Sequence, residues 1–298
     1  VAAGALLLAW ALDAAFGEPR NAWHPVAWLG RALRPLGARL PALAPRPAFA
    51  LGACAWSGAV VAVGLLAWGV QAWIDGLPGW LALPALALAL KPAFAWSMLK
   101  DEVRAVEAAL GHGLDAGRAR LARLCSRDVT TLDATAVRET AVEALAENFN
   151  DSLVAPLFWF VVAGLPGAWI WRTANTLDAM WGYRGRWEWA GKWAARADDV
   201  LGWIPARLAA ALLWSPSVAL KPWRDEARQT PSPNGGWPMA TMALRLGVRL
   251  GKPGVYVLNR TGSSVDGKVV ARSLQLAERA ARAAFVGAGV ALWWRAAR

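Results

Sequence analysis

A chain of 298 residues that is 57% hydrophobic, yet carries 32 Lys and Arg against 21 Asp and Glu, is too apolar and too basic together for an ordinary soluble domain. Its 21 Trp favour the lipid–water interface, so the composition points to an integral membrane protein with basic cytoplasmic segments. The net charge of +11 does not make a nucleic-acid binder, since no helix-turn-helix, zinc-finger or RNA-binding signature accompanies it. Two Cys suggest neither a disulfide framework nor a thiolate site, and two His nearly exclude a zinc centre built on imidazoles.

Apolar segments fall at about 1–16, 47–74, 77–98, 152–171, 200–220 and 283–294. No basic region precedes the first, so no cleavable signal peptide is expected. Positions 47–74 carry no charge and are long enough to span the hydrocarbon core. The short break at Asp75-Gly76 makes this segment and the next an antiparallel helical hairpin, and Lys91-Pro92 kinks or ends the second arm. The polar stretch 99–151 reads as helices, with Val103, Val106 and Leu110 at helical spacing. Segment 152–171 is uncharged but contains Pro156 and Gly164-Leu165-Pro166-Gly167. Segment 200–220 is broken by Pro205, Arg207 and Pro216, and 283–294 is short for a crossing.

The expected fold is therefore all-α: one polytopic membrane domain over 1–298, with re-entrant or broken helices and cytoplasmic helical segments. Charge sharpens this expectation. The stretches 17–46, 99–151, 172–199 and 221–282 are all rich in Lys and Arg, and the positive-inside tendency would put all of them in the cytoplasm. The preferred resolution is that Gly164–Gly167 turns the chain back, making 152–171 a shallow hairpin covered by protein. The alternative is one kinked span with 172–199 outside.

Chemistry-bearing residues cluster beside these apolar segments. In "AENFNDSLVAPLFWF", Glu147 and Asp151 are four apart and Asn148 and Asp151 three apart, so a helix places them on one face. "RTANTLDAM" spaces Arg172, Asn175 and Asp178 by three, "ARADD" sets Arg196 near Asp198 and Asp199, and "SRDVTTLD" joins Arg127 to Asp128. Any one pair reads most simply as a salt bridge on a solvated helix face. Four such groups, three of them next to apolar segments, point to metal-assisted handling of an anionic, phosphate-bearing substrate. Mg²⁺ needs only one or two carboxylates beside phosphate and water, and Arg pairs with phosphate in bidentate fashion.

Other signals are weaker. "GSSVDGKV" at 262–269 nearly matches a P-loop, but Val269 stands where Ser or Thr should bind metal, so it reads as a surface loop. His24 reads as a structural hydrogen-bonding residue, Glu18 as a turn cap, and "SPNGGWPMA" as a loop with a tight turn.

Taken in order, "LDAAFGEPRNAWHPVAWLG", "SRDVTTLD", "AVEALAENFNDSLVAPLFWF", "RTANTLDAMWGY", "ARADDVLGWIPARL" and "SPNGGWPMATMALRLGVRLGKPGVY" resemble the CobD/CbiB family of cobalamin biosynthesis, the adenosylcobinamide-phosphate synthases. Ala197 departs from an expected Leu, and Ser232 from the His that often precedes Pro-Asn. The resemblance implies a multi-pass enzyme of the cell (inner) membrane whose active site faces the cytoplasm. Such an enzyme joins aminopropanol, or its phosphate, to a carboxylate of adenosylcobyric acid in an ATP-dependent carbon–nitrogen ligation. Family motif positions carry over to Glu18, His24, Arg127, Asp128, Glu147, Asn148, Asp151, Asn175, Asp178, Arg196, Asp198, Asp199, Arg207 and Asn234.

On that basis Glu147, Asp151, Asp178 and Asp199 are the expected catalytic residues. Glu18, His24, Arg127, Asn148, Asn175, Arg196, Arg207 and Asn234 are expected to bind substrate. Asp128 and Asp198, with those four acids, are the expected Mg²⁺ ligands. These groups are expected to converge on a single pocket. Trp159, Trp181 or Trp203 could contact the corrinoid, although anchoring the fold is the simpler role for them. Association with other late cobalamin enzymes is expected only by analogy. A non-catalytic sensor resembling the AmpE-type proteins, and a metal-dependent membrane phosphotransferase, are the rival classes; the latter's tandem Asp-Gly/Ala-Arg pattern is not evident.

Overall fold

The apolar runs and their stop signals set most helix boundaries. A computed structural model describes all 298 residues, Val1 to Arg298. The helices are α1 (Ala2–Phe16), α2 (Pro25–Arg39), α3 (Pro45–Asp75), α4 (Gly79–Leu90), α5 (Trp96–Leu110), α6 (Leu114–Leu121), α7 (Ala134–Phe149), α8 (Ala155–Trp181), α9 (Lys192–Leu201), α10 (Trp203–Leu213), α11 (Leu220–Ala227), α12 (Gly236–Leu246) and α13 (Gly267–Ala296). Local chemistry explains several ends. His24 caps α2 by accepting the Val26 N–H, with Pro25 preset for the first turn. Asp133 caps α7 through the Ala136 N–H, and Gly247 closes α12 in the left-handed region. Lys91-Pro92 ends α4 in a short 3₁₀ turn, as expected.

The chain divides into two compact units. The first comprises Val1–Ala95, Ala155–Gly202 and Phe285–Arg298; the second comprises Trp96–Val154 and Trp203–Ala284. In the first unit Trp56 and Val60 of α3 pack with Ala174, Leu177 and Trp181 of α8 and Ala194 of α9. Trp10 stacks on Phe285 at 4.5 Å, and Phe94 meets the same ring edge-on. The other side of α3 stays bare: Leu65, Leu66, Trp68 and Trp73 are each more than 60% exposed. A row of large apolar side chains like that belongs in lipid.

Three helical stretches, Pro45–Asp75, Gly79–Leu110 and Ala134–Trp181, are long and apolar enough to cross a membrane. The protein is thus a polytopic helical membrane protein. The third stretch is not straight. Ala163 and Gly164 leave helical geometry, Gly164 with φ of 64°, a conformation that only glycine adopts freely. In a continuous helix, residues eight apart lie about 12 Å apart along the axis. Here a β-carbon on Gly167 would collide with the Trp159 carbonyl, so the chain doubles back at Ala163–Gly164. The expected break in α8 is present. Its second arm is capped from α3, because the Gln71 side-chain oxygen accepts the Leu165 N–H at 2.7 Å.

In the second unit α5, α6 and α7 enclose Val106, Leu121, Val129, Leu132, Val137 and Ala141. This unit adds one feature to the expected helical fold and corrects one expectation. A small antiparallel hairpin, β1 (Leu250–Lys252) with β2 (Tyr256–Leu258), interrupts the all-helical pattern, paired Leu250 to Leu258 and Lys252 to Tyr256. Three-residue strands are too short to leave a period-2 signal. The motif at 262–269 is only half a loop: Gly267 already begins α13, capped by Asp266 accepting the Val269 N–H. The apolar run 283–294 is the end of that 30-residue helix. Segment 200–220 yields only the 11-residue α10.

Candidate functional site

In the second unit the sequence "ETAVEALAE" sets Glu139, Glu143 and Glu147 four apart along one face of α7. A cationic set meets them. Arg249 bonds Glu139 at 3.2 Å. Arg127, from the loop before α7, reaches Glu143 at 2.9 Å and donates to the Thr140 hydroxyl. The Tyr256 hydroxyl lies against the same Glu143 carboxylate; burial, then that negative charge, push its pKa up. Burial opposes the charge of Arg127, but the attraction of Glu143 outweighs it and raises its pKa.

Glu147 is the exposed member of the stripe. Arg127 and Lys252 exert an attractive field on it. Its carboxylate lies over the Asn234-Gly235 turn, where a β-carbon on Gly235 would sit 3.0 Å from Oε1. Arg207 fastens that turn, donating to the Asn234 side-chain oxygen at 2.9 Å and to the Pro233 carbonyl at 3.1 Å. Its guanidinium lies over the Trp203 and Trp237 rings, 4.2 and 4.9 Å from their centroids.

The α7 face does not continue smoothly to Asp151. Asn150–Val154 is a π-helical turn, so the i, i+4 spacing that would align Asp151 with Glu147 is broken. Asp151 accepts from Asn150 at 2.8 Å, and Asn148 donates to the Ala144 carbonyl. Asp128 closes its own turn by accepting the Thr130 N–H and hydroxyl, and these bonds lower its pKa.

In the first unit Asn175 and Asp178 lie on α8, and Arg196, Asp198 and Asp199 on α9. The two helices pack together, and Asn175 approaches the Asp198 carboxylate at 3.4 Å. Gly182 caps α8 so tightly under Asp178 that any side chain at 182 would strike the carboxylate. Burial raises the Asp199 pKa, with Arg196 opposing it.

Glu18 and His24 lie elsewhere in the first unit, in a buried network that the sequence did not foreshadow. Lys91 bridges Asp13, at 3.0 Å, and Glu18, while Glu18 accepts from His24 at 2.7 Å. Because His24 Nδ1 accepts the Val26 N–H, Nε2 must carry the proton toward Glu18. His24 is the structural hydrogen-bonding residue expected. Glu18 is an ion-pair partner, not a turn cap. Trp181, only 1% exposed, is core and not a corrinoid contact.

Sequence spacing thus missed Glu143, Arg249, Tyr256, Lys91 and Asp13. The spacing of the acids by four was visible, but their partners lie outside the helix, Arg127 in the loop before it and Arg249 and Tyr256 more than a hundred residues on. No group of three or more His, Cys, Asp or Glu is placed to hold a metal by itself.

A broken-helix membrane protein with acid and amide clusters on α7, α8 and α9 defines a narrow class. The chain matches the CobD/Cbib protein family over residues 6–284 and belongs to it. It is 43% identical over 260 residues to the "Cobalamin biosynthesis protein CobD" of Stutzerimonas stutzeri (strain A1501), covering 85% of this chain and 82% of that one. The protein of the same name in Dehalococcoides mccartyi (strain CBDB1) is 37% identical, covering 85% of each chain. That of Rhodobacter capsulatus is 38% identical and covers 93% of each. No solved structure matches the chain.

Proposed function

We propose that this cobalamin-biosynthesis protein forms an amide bond between aminopropanol, or its O-phosphate, and a carboxylate of adenosylcobyric acid, yielding adenosylcobinamide or its phosphate. The single observation that carries the reading is the family match over residues 6–284, which contains every chemistry-bearing residue named above. A carboxylate does not condense with an amine at neutral pH unless it is activated. ATP, with Mg²⁺, would supply a phosphoryl group to the carboxylate, so that phosphate rather than hydroxide departs when the amine attacks.

The residues divide this work by chemistry. Within the first unit, Asp178 and Asp199 would hold Mg²⁺, while Arg196 neutralises phosphate and Asn175 orients its neighbours. Within the second unit, Arg127 and Lys252 are cations whose charges reach Glu147, and they would attract an anionic substrate group toward it. Glu147 is the accessible acid of the α7 stripe, whereas Glu139 and Glu143 are engaged by Arg249 and Arg127. It is therefore assigned the proton released by the attacking ammonium. Asn148 and Asn234 offer amide groups to orient the amine or its carboxylate partner. The reacting face is assigned to the cytoplasm, in line with the Lys and Arg excess of the polar segments.

Coupled turnover tests the reading. Protein reconstituted in proteoliposomes should sustain conversion of ATP to ADP, one per amide formed, when adenosylcobyric acid and the amine are both present. Sustained ATP use with the amine alone, or with neither substrate, contradicts a ligase. A lipid phosphotransferase would consume a lipid alcohol instead, and a sensor would consume nothing.

A further inference from the structure

An apolar cavity of about 400 Å³ lies wholly inside the first unit. The first turn of α2 (Pro25, Trp28 and Leu29) closes one side, α3 and α4 form the walls, and Trp169 of the second α8 arm forms the floor. Its size falls in the ~300–1,000 Å³ range of small-molecule sites, yet no charged side chain lines it. It plays no part in the chemistry assigned above. Polar cofactors and the substrates' phosphates find no partner there.

We infer that this cavity holds one acyl chain of an anionic phospholipid, with the headgroup beside the basic face of α2. Three observations carry the inference. First, Leu66 and Leu88 line the cavity and are also 69% and 62% exposed, on helical stretches able to span a membrane. The opening therefore faces hydrocarbon, and an apolar chain is the material at hand to fill it. Second, α2 carries Arg31, Arg34 and Arg39 and no acid, and Arg31 stands three residues beyond Trp28, at the edge of the cavity stripe. Basic residues beside a membrane attract anionic headgroups. Third, Trp23 and Trp28, 74% and 48% exposed, flank the same turn, where indoles settle at the headgroup level.

The walls are also held rigid. His24 caps the turn that presents Pro25, Lys91 precedes Pro92, and Glu18 ties the two together. A fixed cavity, unlike a transient gap between lipids, retains one chain through detergent exchange.

Native mass spectrometry of the delipidated protein, reloaded with a 1:1 mixture of phosphatidylglycerol and phosphatidylcholine, tests this. The wild type should keep one phospholipid, enriched in phosphatidylglycerol. Ala89→Phe, which projects a ring into the cavity, should lose it, while Leu65→Phe on the bare face of α3 should keep it. Retention by Ala89→Phe equal to wild type would overturn the cavity assignment. Should Ala89→Phe fail to fold, Ala67→Leu fills the same space more gently and carries the same expectation. Arg31→Gln with Arg34→Gln should leave the chain bound but reduce the preference for phosphatidylglycerol by roughly fivefold or more. An unchanged preference would overturn the headgroup assignment.

Discussion

Arg127 reaches the Glu143 carboxylate at 2.9 Å, and both side chains are nearly sealed from solvent, at 15% and 1% exposure. The pair pins the loop before α7 to the middle of the acidic face that presents Glu147. Removing one partner leaves a buried charge alone. Arg127→Met should therefore lower stability by about 3 kcal/mol, and the double variant Arg127→Met with Glu143→Gln should regain part of that loss. Thermal unfolding of the detergent-solubilised protein measures both. A single variant as stable as the wild type would show that the pair does not anchor the loop.

The reversal of α8 rests on two local features. Gly164 adopts a positive φ, and Gln71 accepts the Leu165 N–H that the broken helix would leave unpaired. Gly164→Ala should cost about 1–3 kcal/mol from backbone strain alone. It would cost more still because its β-carbon would sit 2.7 Å from the Gln71 oxygen. Gln71→Leu should cost about 1–3 kcal/mol through the orphaned amide. Equal stability of both variants and the wild type, by the same unfolding assay, would contradict a capped hairpin.

A hairpin at Ala163–Gly164 predicts that the chain returns to the side of the membrane from which it entered. A single cysteine placed at Arg184 should react with an impermeant maleimide only from the cytoplasmic face. Reaction only from the outside would mean that 152–171 crosses once and that 172–199 lies outside.

Much of this was legible beforehand. The uncharged run 47–74, the Asp75-Gly76 break and the Gly164–Gly167 cluster forecast α3, the turn to α4 and the reversal of α8, because each depends on near neighbours in sequence. The π turn at Asn150–Val154 was not forecast, and it breaks the helical alignment assumed between Glu147 and Asp151. The Arg127–Glu143 and Lys91–Asp13 pairs were also hidden. The first joins residues 16 apart across a loop and the second residues 78 apart, separations that no periodicity records. Glu147 belongs to the second unit, and Asp178 and Asp199 to the first.

The buried network of the first unit predicts an acid response. Burial alone would raise the Glu18 pKa, but the His24 hydrogen bond and the Lys91 charge outweigh it and hold it below the ordinary 4.5. The native state thus binds this proton less readily than the unfolded chain. The stabilisation is fully present above pH 4.5 and is lost as pH falls through the lower native value. Glu18→Gln should melt lower than wild type at pH 7 and lose less on acidification. Melting curves that stay parallel down to acid pH would contradict this account of Glu18.

The most direct measurement is the product itself. Proteoliposomes supplied with adenosylcobyric acid, aminopropanol phosphate or aminopropanol, ATP and Mg²⁺ should yield a species whose mass is the sum of corrinoid and amine less one water. Glu147→Gln, inserted and folded normally, should yield little or none. Absence of that species with the wild type, or undiminished formation by Glu147→Gln, would contradict the proposed amide ligation or the role given to Glu147, respectively.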